Sequence, residues 1–457
     1  MSAIITDPFK KQFMQKIFDE VTNLTARYYV GIGKNDQWNS TETVPTPTDT
    51  PKSIRQAQTA LQSVKAVAAT SFVIPRYSWT SGSIYSGYDD DLTTIPSNTY
   101  YVLTEDNHVY ICLQQSKSAT GAANVSTVKP TGTGTKPFKT SDGYTWKFLY
   151  ALSASDANAF LSANFVPVKF VDSADDTFEI QQKAVQDSAV AGRILNIVVT
   201  NGGTGYTSTP TVTITGNSRA IGDSAQATAT VSGGSVVKID MLNESAGSGK
   251  NFINSTVTIS GGGGSGALAR AVIGPANGIG ADPRDELKAT SLMFNSKPDG
   301  TENGNFLAGN NQDFRQVMLI RNPRIDSDAG TILTANTAKS LKYLQADSAF
   351  ASQLQVDELI TNSLTPAPAK AYVNEVVNFA TNSAKVYYHQ TDSTGYTPFS
   401  VGNTLTDEGG QTGTITVVAD SNEQYINTSG EVLYIENRAP VVRTSSQIED
   451  IKVVVTL

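Results

Sequence analysis

Residues Gly430 to Leu457 carry two β-forming runs, Val432–Ile435 and Ile451–Leu457, on either side of a polar turn. β-Branched and aromatic side chains dominate both runs, and such side chains fit a pleated, packed surface. A run as apolar as the second is expected inside a sheet, not as a loose tail. A strand that closes a sheet needs partners, and the candidates lie far upstream. This predicts a body assembled from distant parts of the chain, with the residues between partly inserted into it.

The rest of the chain, taken in order, supports that picture. A chain of 457 residues suggests roughly three domains. Thr6-Asp-Pro-Phe opens a helix, with Asp7 as cap and Pro8 in the first turn. Phe9, Phe13, Ile17 and Val21 recur every four residues and predict one apolar face. Arg27 to Lys34 reads as a strand in which Gly31 and Gly33 serve tight turning or close packing. A second helix is expected after Thr50-Pro51, with Ile54, Leu61, Val64 and Ala68 on one face. Phe72 to Arg76 is a short strand stopped by Pro75. Thr99 to Leu113 reads as a β-hairpin, and Gly143 to Leu152 as a strand leading into a helix capped by Ser153. Asp313 to Ile320 is a strand that stops at Asn322-Pro323.

Two segments differ in character. From about Ala189 to Pro275 the chain is Gly-rich and repetitive. Ile194-Leu-Asn-Ile, Thr211-Val-Thr-Ile and Ala225-Gln-Ala-Thr-Ala-Thr-Val return as Val236-Val-Lys-Ile, Thr256-Val-Thr-Ile and Ala267-Leu-Ala-Arg-Ala-Val-Ile. A period of roughly 40–45 residues suits a few short strands per copy. From about Gln353 to Glu423, strands at Ala371–Phe379, Ala384–His389 and Thr414–Val418 alternate with turns, which suggests a small barrel or sandwich.

Composition narrows the chemistry. Charged residues make up 17% and the net charge is −8, which argues against a nucleic-acid partner. No apolar run approaches the roughly 18 residues that a membrane span needs. Met1 to Pro8 lacks a signal layout, so the chain is expected in a soluble, reducing compartment. The two histidines, His108 and His389, sit in strand-like runs without a second ligand at metal spacing. Cys112, the single cysteine, reads as a buried strand thiol. Asp89-Asp-Asp lacks the alternating acids of a calcium loop and reads as solvated. Ser245 to Asn251 has only the tail of a phosphate loop, and Gly261 to Gly266 is a glycine turn. Asp285 beside Glu286 is a paired-carboxylate motif, but adjacency in an acidic chain assigns no role. The chain is therefore read as no enzyme, with no cofactor and no metal. Trp38, Trp79 and Trp146 each lie beside a strand, where they either pack in a core or anchor an interface. Trp38, Arg76 and Trp79 are the candidate protein-interface residues, because Trp and Arg are enriched at binding hot spots.

Five blocks in chain order carry a resemblance. They are Gly31-Ile-Gly-Lys-Asn-Asp-Gln-Trp38, Val73-Ile-Pro-Arg-Tyr-Ser-Trp79, Gly143-Tyr-Thr-Trp-Lys-Phe-Leu-Tyr150, Asp313 to Pro323, and Gly430-Glu-Val-Leu-Tyr-Ile-Glu-Asn-Arg-Ala-Pro440. Together they resemble the dimeric baseplate wedge protein of contractile-tailed bacteriophages, the "gene product eight" type. The resemblance implies a homodimeric structural protein of the virion tail baseplate, assembled in the host cytoplasm, that binds other wedge proteins. It fails over about 187–276 and 345–425. The expected fold is mainly β (β-rich α+β) and multidomain. A discontinuous β-sandwich-like body, residues 1–186, 277–344 and 426–457, carries two small inserted β domains at 187–276 and 345–425. The rival reading is a carbohydrate-binding tail or adhesion protein, with glycan contact through the inserted segments.

Overall fold

The computed structural model describes residues 3–36, 38, 43–218, 225–241, 249–309, 311–325, 330–418 and 424–457. Strand accounts for 41% of the chain and helix for 13%, so the fold is mainly β. Two compact units divide it. The first comprises residues 1–13, 71–291 and 457, and the second 14–70 and 292–456. The 187–276 segment lies in the first unit and the 345–425 segment in the second.

The second unit is built on a five-stranded sheet. Its order is Thr337–Lys339, Leu61–Ala66, Tyr28–Gly33, Asp313–Arg321 and Glu431–Val442. Three of the five sequence blocks thus supply three consecutive strands, although long stretches of chain separate them. Tyr29, Leu61, Val64, Met318 and Ile320 form the core on this sheet. Gly31 faces Met318 on one side and Val64 on the other. A Cβ there would stand 2.7 Å from Leu61 Cδ1, the movable end of that side chain, so the glycine lets Leu61 pack close to the strand. The Ile451–Thr456 strand runs beside Ser291–Ser296.

The same unit holds a closed barrel. Its order is Lys342–Ala346, Ser383–His389, Lys370–Ala380, Leu359–Asn362, Thr404–Thr406 and Thr412–Val418, and the last strand pairs back onto the first. Closure removes free edges. Leu344, Ile360, Val373, Val386, Leu405 and Ile415 fill it. The Phe350 ring also packs there, against Gly413, where a Cβ would fall 2.4 Å from the ring.

In the first unit a sheet runs Tyr101–Leu103, His108–Gln114, Thr145–Ala151 and Phe138–Lys139. Its aromatic core gathers Tyr85, Tyr110, Tyr144, Trp146 and Phe148, together with Val185 from the Thr177–Asp187 helix. Asn107, at φ 59°, turns the hairpin, a conformation asparagine tolerates.

The Gly-rich repeat in this unit forms one six-stranded sheet. The strands in chain order are Ile194–Thr204, Thr211–Ser218, Ala227–Ser232, Ser235–Met241, Phe252–Ser260 and Ser265–Ile273, and in space they run fifth, second, third, fourth, first, sixth. Equivalent positions of the two copies face each other, Ile197 opposite Ile239 and Thr213 opposite Thr258. The third strand of each copy pairs with the first strand of the other. The copies are therefore interlocked about a pseudo-two-fold axis. Three short strands cannot bury an apolar face alone. Interlocking lets Ile197, Tyr206, Val236, Ile239 and Phe252 share one core. The incoming and outgoing chain are tied side by side, Gly192 N donating to Pro275 O (3.1 Å) and Gly274 N to Arg193 O (2.8 Å).

Several expectations need correction. The second helix spans only Pro51–Thr59, capped by Thr50 as expected. Leu61 and Val64 lie instead in a strand, because Leu61–Ala66 pairs with Tyr28–Gly33 on one side and Thr337–Lys339 on the other. The Val432–Ile435 run extends to Val442, through Arg438-Ala-Pro440. Proline fits there because this strand stands at a sheet edge. Asp7 is the first residue of its helix, not its cap; Thr6 O accepts the first helical N–H groups. The apolar face of that helix is not buried: Phe9 is 60% and Phe13 50% exposed, and Met14 alone is buried. Asp89 and Asp90 are not a merely solvated run, since both hold Arg270, and Ile273 N donates to Asp90 at 3.1 Å. Most of Ser245 to Asn251 lies outside the described residues.

Candidate functional site

The three candidate interface residues fall in different settings. Trp38 follows the Tyr28–Gly33 strand and is half-buried, with its indole N–H buried and unpartnered. Arg76 and Trp79 follow the Ala69–Pro75 strand in the first unit. Arg76 donates to Ser162 O at 3.0 Å and to Ser78 Oγ at 3.3 Å. Trp79 packs against the aromatic core, and its Nε1 donates to Ser126 Oγ at 3.2 Å. Trp146 lies fully within that core.

Sequence reasoning missed a dense polar joint inside the second unit. Tyr28–Gly33 ends where the antiparallel Asp313–Arg321 strand begins, which brings Lys34 beside Asp313. Lys34 Nζ lies 2.9 Å from Asp313 Oδ1, 2.5 Å from Asp357 Oδ1 and 2.9 Å from Asn311 O. Arg315 grips Asp313 through Nε (2.8 Å) and Nη2 (3.2 Å), and its Nη1 donates to Asn35 O at 2.8 Å. From the barrel side, His389 Nδ1 donates to Asn374 Oδ1 at 2.6 Å. Asp36 accepts from the hydroxyls of Thr391 and Ser393. A cleft of about 130 Å³ opens between Asn35, Asp36, Arg315, Asp357, Tyr372 and His389.

Electrostatics fix what this joint can do. Burial, then the nearby Lys34 and Arg315, pulls His389 down to about 3. It is therefore a neutral hydrogen-bonding group at physiological pH and supplies no proton. Lys34 and Asp313 are buried while Asp357 is partly exposed, and ion pairs of this kind add little net stability. The joint links sheet residues to barrel residues through Lys34–Asp357 and Asp36–Thr391. The blocks Gly31–Trp38 and Asp313–Pro323 contained its body half, but the pairing to Asp357, Asn374 and His389 had no signal in spacing.

Four further groups singled out in the sequence, His108, Cys112, Asp285 and Glu286, are occupied or shielded. His108 packs edge-on to Phe148, and burial lowers its pKa. Cys112 is buried, which pushes its thiol far up. The carboxylates of Asp285 and Glu286 part company: Asp285 pairs with Lys11 at 2.5 Å, while Glu286 is buried and raised to about 8 by desolvation. Among the described residues no group of three or more His, Cys, Asp or Glu is placed to hold a metal ion, and no helix is long and apolar enough to cross a membrane. No protein-family model matches the chain, and comparison with curated proteins finds no match.

Proposed function

We propose that the chain is a structural subunit of a contractile-tail baseplate wedge, acting as a homodimer that binds neighbouring wedge proteins through buried interfaces. The observation that carries this reading is the placement of the five resembling blocks. Three of them form adjacent strands of one sheet. The two stretches where the resemblance fails hold a six-stranded sheet and five of the six strands of a closed barrel, whose remaining strand, Lys342–Ala346, straddles the boundary. Blocks that persist in a framework, with separate modules between them, are what insertion into a common body produces.

The surface also supports protein contact. Ile4, Ile5, Phe9 and Phe13 stand exposed along the first residues and the N-terminal helix. Apolar groups clustered at a surface mark interaction sites. A specific dimer buries about 1,200–2,000 Å² in total. Sedimentation velocity of the purified chain at micromolar concentration is expected to give a dimer, and localisation in an intact tail is expected to put it in the baseplate. A monomer at that concentration, with no baseplate signal, would overturn the proposal.

A further inference from the structure

A polar cleft of about 200 Å³ opens in the first unit, where the Gly-rich repeat meets loops beside the aromatic sheet. Strand alternation builds one side of it. Ile197 and Ile239 pair across two strands and turn into the core of the repeat, so their neighbours Asn196, Val198, Lys238 and Asp240 face the other way. All four line the cleft. Tyr88, Gln114 and Lys117 line the opposite side. The backbone holds that side in place: Tyr88 N donates to Cys112 O at 2.7 Å, and Lys117 forms a β-bridge with Ala123. At Gly121 a Cβ would fall 2.9 Å from Val237 O, so this loop lies directly on a strand of the repeat.

Both acids of the lining are matched, Asp240 by Lys238 at 3.0 Å and Asp89 by Arg270. Four other lining groups are unused. Among the described residues the Tyr88 hydroxyl, the Gln114 amide, Lys117 Nζ and Asn196 Nδ2 have no partner in the chain. Burial, helped by Glu286, Asp90 and Asp89, raises the Tyr88 phenol to about 12, so it keeps its proton. We propose that this cleft binds one pyranose ring of a neutral saccharide. A cavity of about 150 Å³ holds benzene, so this one admits a six-membered ring with its substituents. Lys117 and Asn196 Nδ2 can only donate, whereas Gln114 and Tyr88 can donate and accept. Vicinal sugar hydroxyls do both and can meet all four. A single peptide side chain would leave most of them unpaired, which costs binding. The Tyr88 ring and Val198 offer apolar surface to the C–H edge of the sugar. Asp89 and Asp240 balance Lys117 and Lys238 in the lining, which favours a neutral ligand over an anion. The site is independent of the wedge role above and survives its failure.

The test is saturation-transfer NMR of the full chain with the methyl glycosides of glucose, galactose, mannose and N-acetylglucosamine at millimolar concentration. At least one glycoside is expected to take up saturation, and cyclohexanol, a ring without the vicinal hydroxyls, is not. Lys117→Ala and Gln114→Leu are each expected to weaken that glycoside severalfold while the melting temperature holds. Gln114 ends a strand, and Lys117→Ala keeps the test valid if the Gln114 variant misfolds. The uronate of the same sugar is expected to bind no tighter than the neutral glycoside. No saturation of any glycoside, equal uptake by cyclohexanol, unchanged binding in the variants, or tighter binding of the uronate would overturn the proposal.

Discussion

The loop between the last two strands offers the sharpest test of how the C-terminal stretch holds. Arg443 is 1% exposed, and its Nε and Nη2 each lie 2.8 Å from a Glu449 carboxylate oxygen. Its remaining donors reach Leu307 O at 3.0 Å and Gly300 O at 2.8 Å, and its guanidinium stands 5.2 Å from the Phe306 ring centre. Glu449→Gln keeps the shape but leaves a buried guanidinium uncompensated, which costs about 3–5 kcal/mol. In a unit of roughly 220 residues, each kcal/mol shifts Tm by about 2–4 °C, so a fall of about 6–20 °C is expected. Arg443→Met should cost at least as much, because it strands a carboxylate and two carbonyls. The double variant Arg443→Met with Glu449→Leu should cost clearly less than the two single effects together, since no charge remains buried. The assay is calorimetric melting of the full chain, since a chain of two units need not melt in one step. A Glu449→Gln transition within about 2 °C of the parent, or additive single effects, would refute the reasoning.

Three further outcomes are expected. Burial holds the folded-state pKa of His389 at about 3, below the ordinary value of 6.5, so the unfolded chain binds the extra proton. Stability from this group is therefore complete above about pH 6.5 and lost as pH falls toward 3, and His389→Gln should flatten that part of a stability-versus-pH curve. An unchanged slope would refute it. Trp79→Ala removes a ring packed on the aromatic core and the bond to Ser126, and should lower stability by about 2–4 kcal/mol by denaturant titration. A wild-type melt with weakened wedge co-assembly would show instead that the ring serves an interface. Deleting 190–274 with a short linker should leave a cooperative melt, because Gly192 and Gly274 bring the two ends together; insoluble product would mean the repeat completes a core.

Local structure was legible where the signal is local. The caps at Thr50 and Ser153 form as their sequences require, each side chain accepting from the N–H three residues on. The hairpin at Thr99 to Leu113, the strand Asp313–Arg321 and the small β segment near 371–418 appear where β-rich runs and turn residues put them. Periodicity failed at Leu61, Val64 and Ala68, because a spacing of three or four matches a helix face and also chance positions in a strand. Only the offer of two flanking strands decided between them.

The sequence alone determined the β class, the two-copy repeat and the punctuation by Gly and Pro, because each follows from residue type and short-range spacing. Tertiary structure alone decided partners. Nothing in chain order says that the repeat interlocks by exchanging its third strands, that Lys34 meets Asp357, or that Arg443 meets Glu449 in a buried pair. Nor does chain order say that Tyr88, Gln114, Lys117 and Asn196 share a cleft. Those contacts depend on which faces the folded chain removes from water. That choice is settled by the packing of the whole and leaves no local trace.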